Sequence, residues 1–155
     1  MNVTIEEMSS LRLATVPHVG PYTGISEAFE RLGTIAAPAG LLRAEASMVA
    51  IYYQNPETTR PEELHSDAGL TVTEAAQLPA ALIEKRLPAG RYARATHIGP
   101  YATLPQAWSQ MMREWLPRSG FRIGEGPTFE LYRNDPSNTP PEKLHTDLYI
   151  CVADR

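Results

Sequence analysis

The sequence contains two copies of one unit, and this duplication constrains the fold more than any other feature. The segment LATVPHVGPY at residues 13–22 matches YARATHIGPY at residues 92–101, at an offset of 79 residues. PEELHSDAGLTV at residues 61–72 matches PEKLHTDLYICV at residues 141–152, at an offset of 80. Such self-similarity indicates one supersecondary unit used twice. We therefore expect a single domain over 1–155, built from repeats at about 1–78 and 79–155, with the extra residue in the turn after the second helix.

Length and composition favour a globular chain without special stabilising devices. The chain has 155 residues, 43% of them hydrophobic, which is enough for one compact core. Cys151 is the only cysteine, so neither an intramolecular disulfide nor a Cys-rich metal site is expected. A net charge of -4 without a basic cluster argues against nucleic acid as a partner. No apolar run is long enough to span a bilayer, and we predict a cytoplasmic protein without membrane contact or cofactor.

Each repeat is predicted to contain the same order of elements: strand, helix, strand, strand. The first strands are expected at 11–19 and 91–98, and each leads into Gly-Pro-Tyr, a sequence typical of a helix start. Apolar residues then recur at helical spacing from Ile25 to Ala36 and from Leu104 to Trp115. The remaining strands are expected at 48–53, 68–73, 128–133 and 148–152. This pattern indicates an α+β fold.

Alternation along a strand allows the two faces of these strands to be assigned. In the third element of each repeat the apolar side chains are expected to face the helices; they are Val49, Ile51, Phe129 and Leu131. Glu130, Tyr132 and Tyr52 would then point to the other face. In the last strand, Tyr149 is expected on that same outer face. If the two repeats pack about a pseudo-twofold axis, this face forms a shared cleft.

Glu130 is the leading candidate for a functional residue. It lies between Phe129 and Leu131, where burial makes its charge costly unless a donor or a cationic ligand compensates. Tyr52, Tyr132 and Tyr149 offer hydroxyl donors and π faces, and Trp108 can reach a ligand from the helix. The alternative is structural: glutamates on strands are often solvent-facing, tyrosine is a common strand residue, and Trp108 follows the apolar stripe.

Two His-x-Asp segments require a separate interpretation. They run from His65 to Asp67 and from His145 to Asp147, at matched positions of the two repeats. A metal site is the alternative, but no third ligand accompanies either pair at a diagnostic spacing, so a structural role is favoured and no metal is predicted. His18 and His97 precede Gly-Pro-Tyr and are expected to bond backbone groups at that turn.

These segments together resemble the GyrI-like small-molecule-binding family, which includes DNA gyrase inhibitory proteins and effector-binding domains of AraC-type regulators. The paired H-[VI]-G-P-Y segments, YYQNP, LYRNDP, LHSDAG and FELY carry the resemblance over nearly the whole chain. It implies tandem strand-helix-strand-strand units, with two helices on one side of an antiparallel sheet and a ligand cleft on the other. It also implies that Glu130 contacts cationic aromatic ligands and that Tyr149 belongs to the site. His65 and Cys151 depart from the family pattern.

The resemblance leaves three functions open. The first is a binding protein for amphipathic, aromatic, cationic compounds, with Glu130 as the counter-charge and Tyr52, Tyr132, Tyr149 and Trp108 as walls. The second is a protein inhibitor of DNA gyrase, in which case gyrase is a partner. The third is a hydrolase of cyclopropane-bearing toxins, in which Glu130 activates water and Tyr149 or Tyr132 donates a proton. We rank the three functions in that order. Catalytic residues are predicted only for the third, because the first two require binding alone.

Overall fold

A computed structural model describes residues 1–155 and divides them into two compact units. The first unit is Ser10–Pro88, and the second unit is Met1–Ser9 together with Ala89–Arg155. This division differs from the predicted boundary near residue 78 because each unit includes an edge strand that lies outside its own repeat in the sequence. The strand at the N-terminus of the chain pairs within the second unit, and the strand that follows the first repeat pairs within the first.

The first unit contains four antiparallel strands and one helix. The strands are β2 (Leu11–Val19), β3 (Met48–Tyr52), β4 (His65–Thr71) and β5 (Ile83–Leu87), in the order β3-β4-β2-β5. Helix α1 (Ser26–Ala36) follows a 3₁₀ turn at Tyr22–Gly24. Its buried face, Ala28, Leu32 and Ala36, recurs every four residues and packs against apolar residues of β2 and β4.

The second unit repeats this arrangement. Its strands are β1 (Val3–Met8), β6 (Gly90–Ile98), β7 (Phe121–Tyr132) and β8 (His145–Asp154), in the order β1-β6-β8-β7. Helix α2 (Leu104–Gln110) follows the 3₁₀ turn Tyr101–Thr103 and places Leu104 and Ala107 on Leu148, Ile150 and other residues of the sheet. The predicted α+β class and antiparallel strands are confirmed. None of the helices is both long and apolar enough to cross a membrane.

The second helix contains a wider turn that the first helix lacks. After α2 the chain continues through a π-helical turn, Met111–Trp115, into the short helix α3 (Leu116–Arg118). The Leu116 N–H bonds the Met111 carbonyl, five residues back, whereas at the end of α1 the Ala37 N–H bonds Gly33, four back. A π turn accommodates one more residue than an α turn. The helix itself can therefore hold the extra residue of the second repeat, which the sequence placed in the following turn.

Strand β7 is longer than its counterpart β3 and carries a bulge beside Cys151. Its register with β8 shifts between Ile123 and Thr128, at the sequence Gly-Glu-Gly-Pro. A Cβ placed on Gly126 would lie 2.8 Å from the Cys151 Sγ and 2.9 Å from its Cβ. Glycine therefore allows the bulged strand to approach Cys151 closely.

Substitution of Gly126 tests this close approach. Gly126→Ala should lower the free energy of unfolding by about 1–3 kcal/mol, because the added methyl group overlaps Cys151. Gly33→Ala in α1 is the matched control, since a Cβ there meets nothing within 4 Å. It should raise stability by about 0.5–1 kcal/mol, because alanine favours a helix over glycine. Urea denaturation of both variants decides the point, and equal effects would contradict the steric explanation.

Candidate ligand-binding site

A buried carboxylate, Glu130, is fixed by two neutral donors in the second unit. The Glu130 side chain is only 3% exposed. The Trp108 indole Nε1–H donates to its Oε2 at 2.6 Å, and the Tyr132 hydroxyl donates to its Oε1 at 2.6 Å. Each carboxylate oxygen thus accepts one strong hydrogen bond, and the two bonds fix the orientation of the group.

The local sequence explains why these three side chains meet. Glu130 and Tyr132 are two residues apart on β7, so they project from the same face of the strand. Trp108 comes from α2, which packs on this face of the sheet. The ring of Tyr101, at the start of the 3₁₀ turn before α2, lies 5.4 Å from the ring of Tyr132. Glutamate, tryptophan and two tyrosines therefore form one cluster, which we call the Glu130 site.

The first unit has the same framework without the charge. Ala50 occupies the position that matches Glu130 and is fully buried. Phe29 stands where the second unit has Trp108, so the indole donor is also missing. Tyr52, the counterpart of Tyr132, lies with its ring 4.7 Å from that of Tyr22. The aromatic pair is therefore shared by both units, whereas the carboxylate and its indole partner belong to the second unit.

The predicted faces of β3 and β7 are wrong. In the register of β7 with β8, Phe129 lies opposite Tyr149 and Glu130 lies opposite Leu148, which packs on the helix. Glu130 therefore shares the helix face of the sheet, and Phe129 lies on the other face. Leu131, Val49 and Ile51 correspondingly lie away from the helices, as the pairing of Val49 with Gly69 indicates. The alternation of residues gave the wrong face for these side chains because apolar residues of both strands are buried on both faces of the sheet.

Tyr149 is not part of the Glu130 site. As the sequence predicted, it points away from the helices, but this is the face opposite to Glu130. Its ring stacks on Phe129 with the centroids 4.6 Å apart, and it is 2% exposed. Its hydroxyl accepts a hydrogen bond from Arg133 at 3.1 Å, and burial raises its pKa. The combination of Glu130 with Tyr149 in one cleft or one catalytic pair is therefore incorrect, and Tyr132 is the tyrosine that contacts Glu130.

Both His-x-Asp segments supply a buried carboxylate that binds neighbouring strands together. Asp147 is fully buried and accepts hydrogen bonds from Thr96 at 2.7 Å, Arg133 at 2.6 Å and His145 at 3.0 Å. Burial alone would raise the pKa of Asp147, but these three donors together hold it below its usual value. The donors come from β6, from the residue after β7 and from β8 itself, so the carboxylate joins three strands.

The matching carboxylate of the first unit uses different partners. Asp67 is 2% exposed and contacts the hydroxyl of Tyr53 and the ammonium of Lys85, the latter at 2.5 Å. Tyr53 follows β3 and Lys85 lies on β5, so this carboxylate again connects neighbouring strands. The structural interpretation of the two segments is thus supported in both units.

The remaining histidines contact the turns that follow them. The His18 Nε2 lies 2.9 Å from the Pro21 carbonyl, and the His97 Nε2 lies 3.3 Å from the Pro100 carbonyl. This confirms the predicted role at the Gly-Pro-Tyr turns. Sequence reasoning missed Tyr101 as a member of the Glu130 site. The signal was available, because Gly-Pro-Tyr places this tyrosine at the start of the helix that carries Trp108.

Comparison with known proteins identifies the family. Residues 1–153 match the model of the GyrI-like small molecule binding domain. The chain belongs to the GyrI-like family. The DNA gyrase inhibitor of Yersinia enterocolitica is 30% identical over 140 residues, which cover 87% of this chain and 88% of that protein. The resemblance deduced from the repeated segments is thereby confirmed.

Solved structures show the same fold at low sequence identity. The C-terminal domain of EcmrR superposes with a TM-score of 0.83 at 17% identity, covering 99% of this chain and 98% of that one. SAV2435 bound to tetraphenylphosphonium has a TM-score of 0.69 at 16% identity, covering 99% and 94%. This GyrI-like chain therefore shares the family fold, and its site must be argued from its own residues.

The lowered pKa of Asp147 predicts a pH-dependent contribution to stability. A carboxylate with a depressed pKa stabilises the fold above its unfolded pKa, about 3.9, and this contribution is lost as the pH falls through the folded pKa. Asp147→Asn should therefore cost about 2–3 kcal/mol at neutral pH. The difference from wild type should begin to shrink below about pH 4, because Asp147 of the unfolded chain binds a proton there while the folded carboxylate is protonated only at lower pH.

Thermal unfolding between pH 3 and pH 8 measures this difference. Asp154→Asn is the matched control, because its side chain is 78% exposed and its pair with Arg91 lies at the surface. That variant should change stability by less than about 1 kcal/mol at any pH. A cost of Asp147→Asn that does not depend on pH would contradict the electrostatic role.

Proposed function

We propose that this GyrI-like chain binds cationic aromatic small molecules at the Glu130 site. The observation that carries the proposal is the buried Glu130 carboxylate, whose two oxygens are oriented by the neutral donors Trp108 and Tyr132. A carboxylate of fixed orientation attracts a bound cation strongly in buried surroundings, where solvent screens little.

The aromatic side chains around Glu130 favour the same class of ligand. Trp108 and Tyr132 contact the carboxylate through their polar edges, and the Tyr101 ring packs beside Tyr132; such rings attract cations and pack against aromatic ligands. Large apolar surfaces with one charged group of fixed orientation are typical of small-molecule sites. The family description as a small molecule binding domain and the tetraphenylphosphonium bound to SAV2435 agree with this proposal.

Removal of the Glu130 charge tests the proposal. Glu130→Gln keeps the shape of the side chain but removes its charge, so it should weaken tetraphenylphosphonium binding at least about 10-fold, the loss of about 1.4 kcal/mol or more expected for a buried charge interaction. Binding of a neutral aromatic analogue such as tetraphenylmethane or tetraphenylsilane bearing solubilising hydroxyl groups should change much less. Titration calorimetry or quenching of tryptophan fluorescence measures both affinities.

Glu142→Gln provides a control with the same net charge. Glu142 is exposed in the 3₁₀ turn Pro141–Lys143, outside the Glu130 site, so this variant should bind both compounds as wild type does. Equal weakening of the cation and the neutral compound in Glu130→Gln would argue against a counter-charge role. No binding of the cation by wild type would overturn the proposal itself.

Inhibition of DNA gyrase is a second candidate, favoured by the names of the relatives. The Yersinia protein called a DNA gyrase inhibitor matches 87% of this chain at 30% identity. If this chain acts in the same way, purified protein should suppress the supercoiling of relaxed plasmid by gyrase at near-stoichiometric ratios. Glu142→Gln and Glu130→Gln should then inhibit equally, provided that the gyrase contact does not use the Glu130 site. Full supercoiling at a large excess of the protein would reject this candidate.

A further inference from the structure

Two tyrosines at matched positions of the repeats are used differently. Tyr22 begins the 3₁₀ turn before α1, and Tyr101 begins the 3₁₀ turn before α2, each within Gly-Pro-Tyr. Each ring lies close to a tyrosine of the third strand, 4.7 Å from Tyr52 in the first unit and 5.4 Å from Tyr132 in the second. The rings are thus equivalent, and the difference lies in the hydroxyl groups.

The Tyr22 hydroxyl is fully occupied by the loop that follows β3. It donates to the Gln54 carbonyl at 2.7 Å and accepts from the Gln54 N–H at 3.0 Å. Both bonds are to backbone groups, so they fix the tyrosine to the framework of the first unit. Tyr22 therefore has a structural role, and its hydroxyl is not available to a ligand.

The Tyr101 hydroxyl makes no hydrogen bond in the structure. The corresponding bonds to the backbone of Asn134, the matching loop residue, are absent; the side chain of Asn134 bonds the Lys143 carbonyl and the His145 N–H. Tyr101 is half-buried, with its ring packed on the edge of the second unit's core. Unlike the Tyr22 hydroxyl, the Tyr101 hydroxyl can therefore both donate a hydrogen bond to a ligand and accept one from it.

The position of Tyr101 places this unused hydroxyl beside the Glu130 site. Its ring contacts Tyr132, whose own hydroxyl is 2.6 Å from the Glu130 carboxylate. Burial raises the pKa of Tyr101, and the negative charges of Asp135 and Glu130 raise it further. The phenol therefore stays protonated at neutral pH and can donate a hydrogen bond.

From this contrast we propose that Tyr101 is a specificity-determining residue of the Glu130 site. Its hydroxyl donates to the ligand, so the site prefers cationic aromatic compounds that also carry a hydrogen-bond acceptor, such as a carbonyl oxygen. The inference rests on the proposed function, because it names a further chemical requirement for the same ligand. It adds a second point of recognition to the charge supplied by Glu130.

The test compares two phosphonium cations of nearly equal shape. One carries an acetyl group on one ring of tetraphenylphosphonium and the other carries an isopropyl group, which lacks the carbonyl acceptor. Ortho, meta and para isomers of each are titrated, so that the acceptor samples several directions. Wild type should bind at least one acetyl isomer about 2- to 10-fold more tightly than its isopropyl counterpart, as expected for one net hydrogen bond.

Tyr101→Phe and its matched control, Tyr22→Phe, decide the assignment. Tyr101→Phe keeps the ring but removes the hydroxyl, so it should bring the ratio of acetyl to isopropyl affinity to about one. Tyr22→Phe should lower the melting temperature, because it breaks the bonds to Gln54, and should retain the preference. No acetyl preference in wild type, or a preference that survives in Tyr101→Phe, would overturn the inference while leaving the proposed function intact.

The proposed function can fail independently of these variants. If wild type binds none of the phosphonium cations, or if Glu130→Gln binds unsubstituted tetraphenylphosphonium as tightly as wild type, the cation site itself is rejected. The inference about Tyr101 then falls with it. The unsubstituted cation therefore reports on Glu130, and the ratio of acetyl to isopropyl affinity reports on Tyr101.

Discussion

The pairing of β7 with β8 decides which side chains of the second unit can meet. This register places Phe129 opposite Tyr149 and Glu130 opposite Leu148. Side chains alternate across a strand, so a shift of one residue would exchange the two faces and carry Glu130 away from α2. Leu148 packs against the helix on one face of the sheet, and Tyr149 stacks on Phe129 on the opposite face. Burial on both faces therefore maintains the register that brings Glu130 to Trp108.

The two units retain one framework and differ in the groups attached to it. A buried aspartate joins strands in both units, as Asp67 in the first and Asp147 in the second. The aromatic pair at the helix start is also common to both. The position of Ala50 in the first unit is occupied by Glu130 in the second. The shared groups make the same kinds of contact in both units, whereas the differing groups place a buried carboxylate and an unbonded hydroxyl in the second unit.

The duplication made the order of elements predictable, because each repeat provided an independent reading of the same pattern. The predicted strand at 11–19 and the helices agree closely with β2, α1 and α2. Strands β1 and β5 were not predicted, since they lie outside the matched segments and mix charged with apolar residues, as edge strands do. Their exchange between repeats is a long-range pairing that no local pattern encodes.

The candidate site was predictable in its residues but not in its geometry. Glu130 was identified because a carboxylate within FELY is costly to bury, and the structure does bury it. Its face could not be predicted, because alternation assigns faces only when one side of a strand is solvated. Trp108 resolves this ambiguity physically: its indole N–H reaches from the helix to the carboxylate, so charge and helix must lie on the same side. The hydrogen bond between Glu130 on β7 and Trp108 on α2 therefore requires both side chains to lie on the same face of the sheet. Neither residue considered alone gives this constraint.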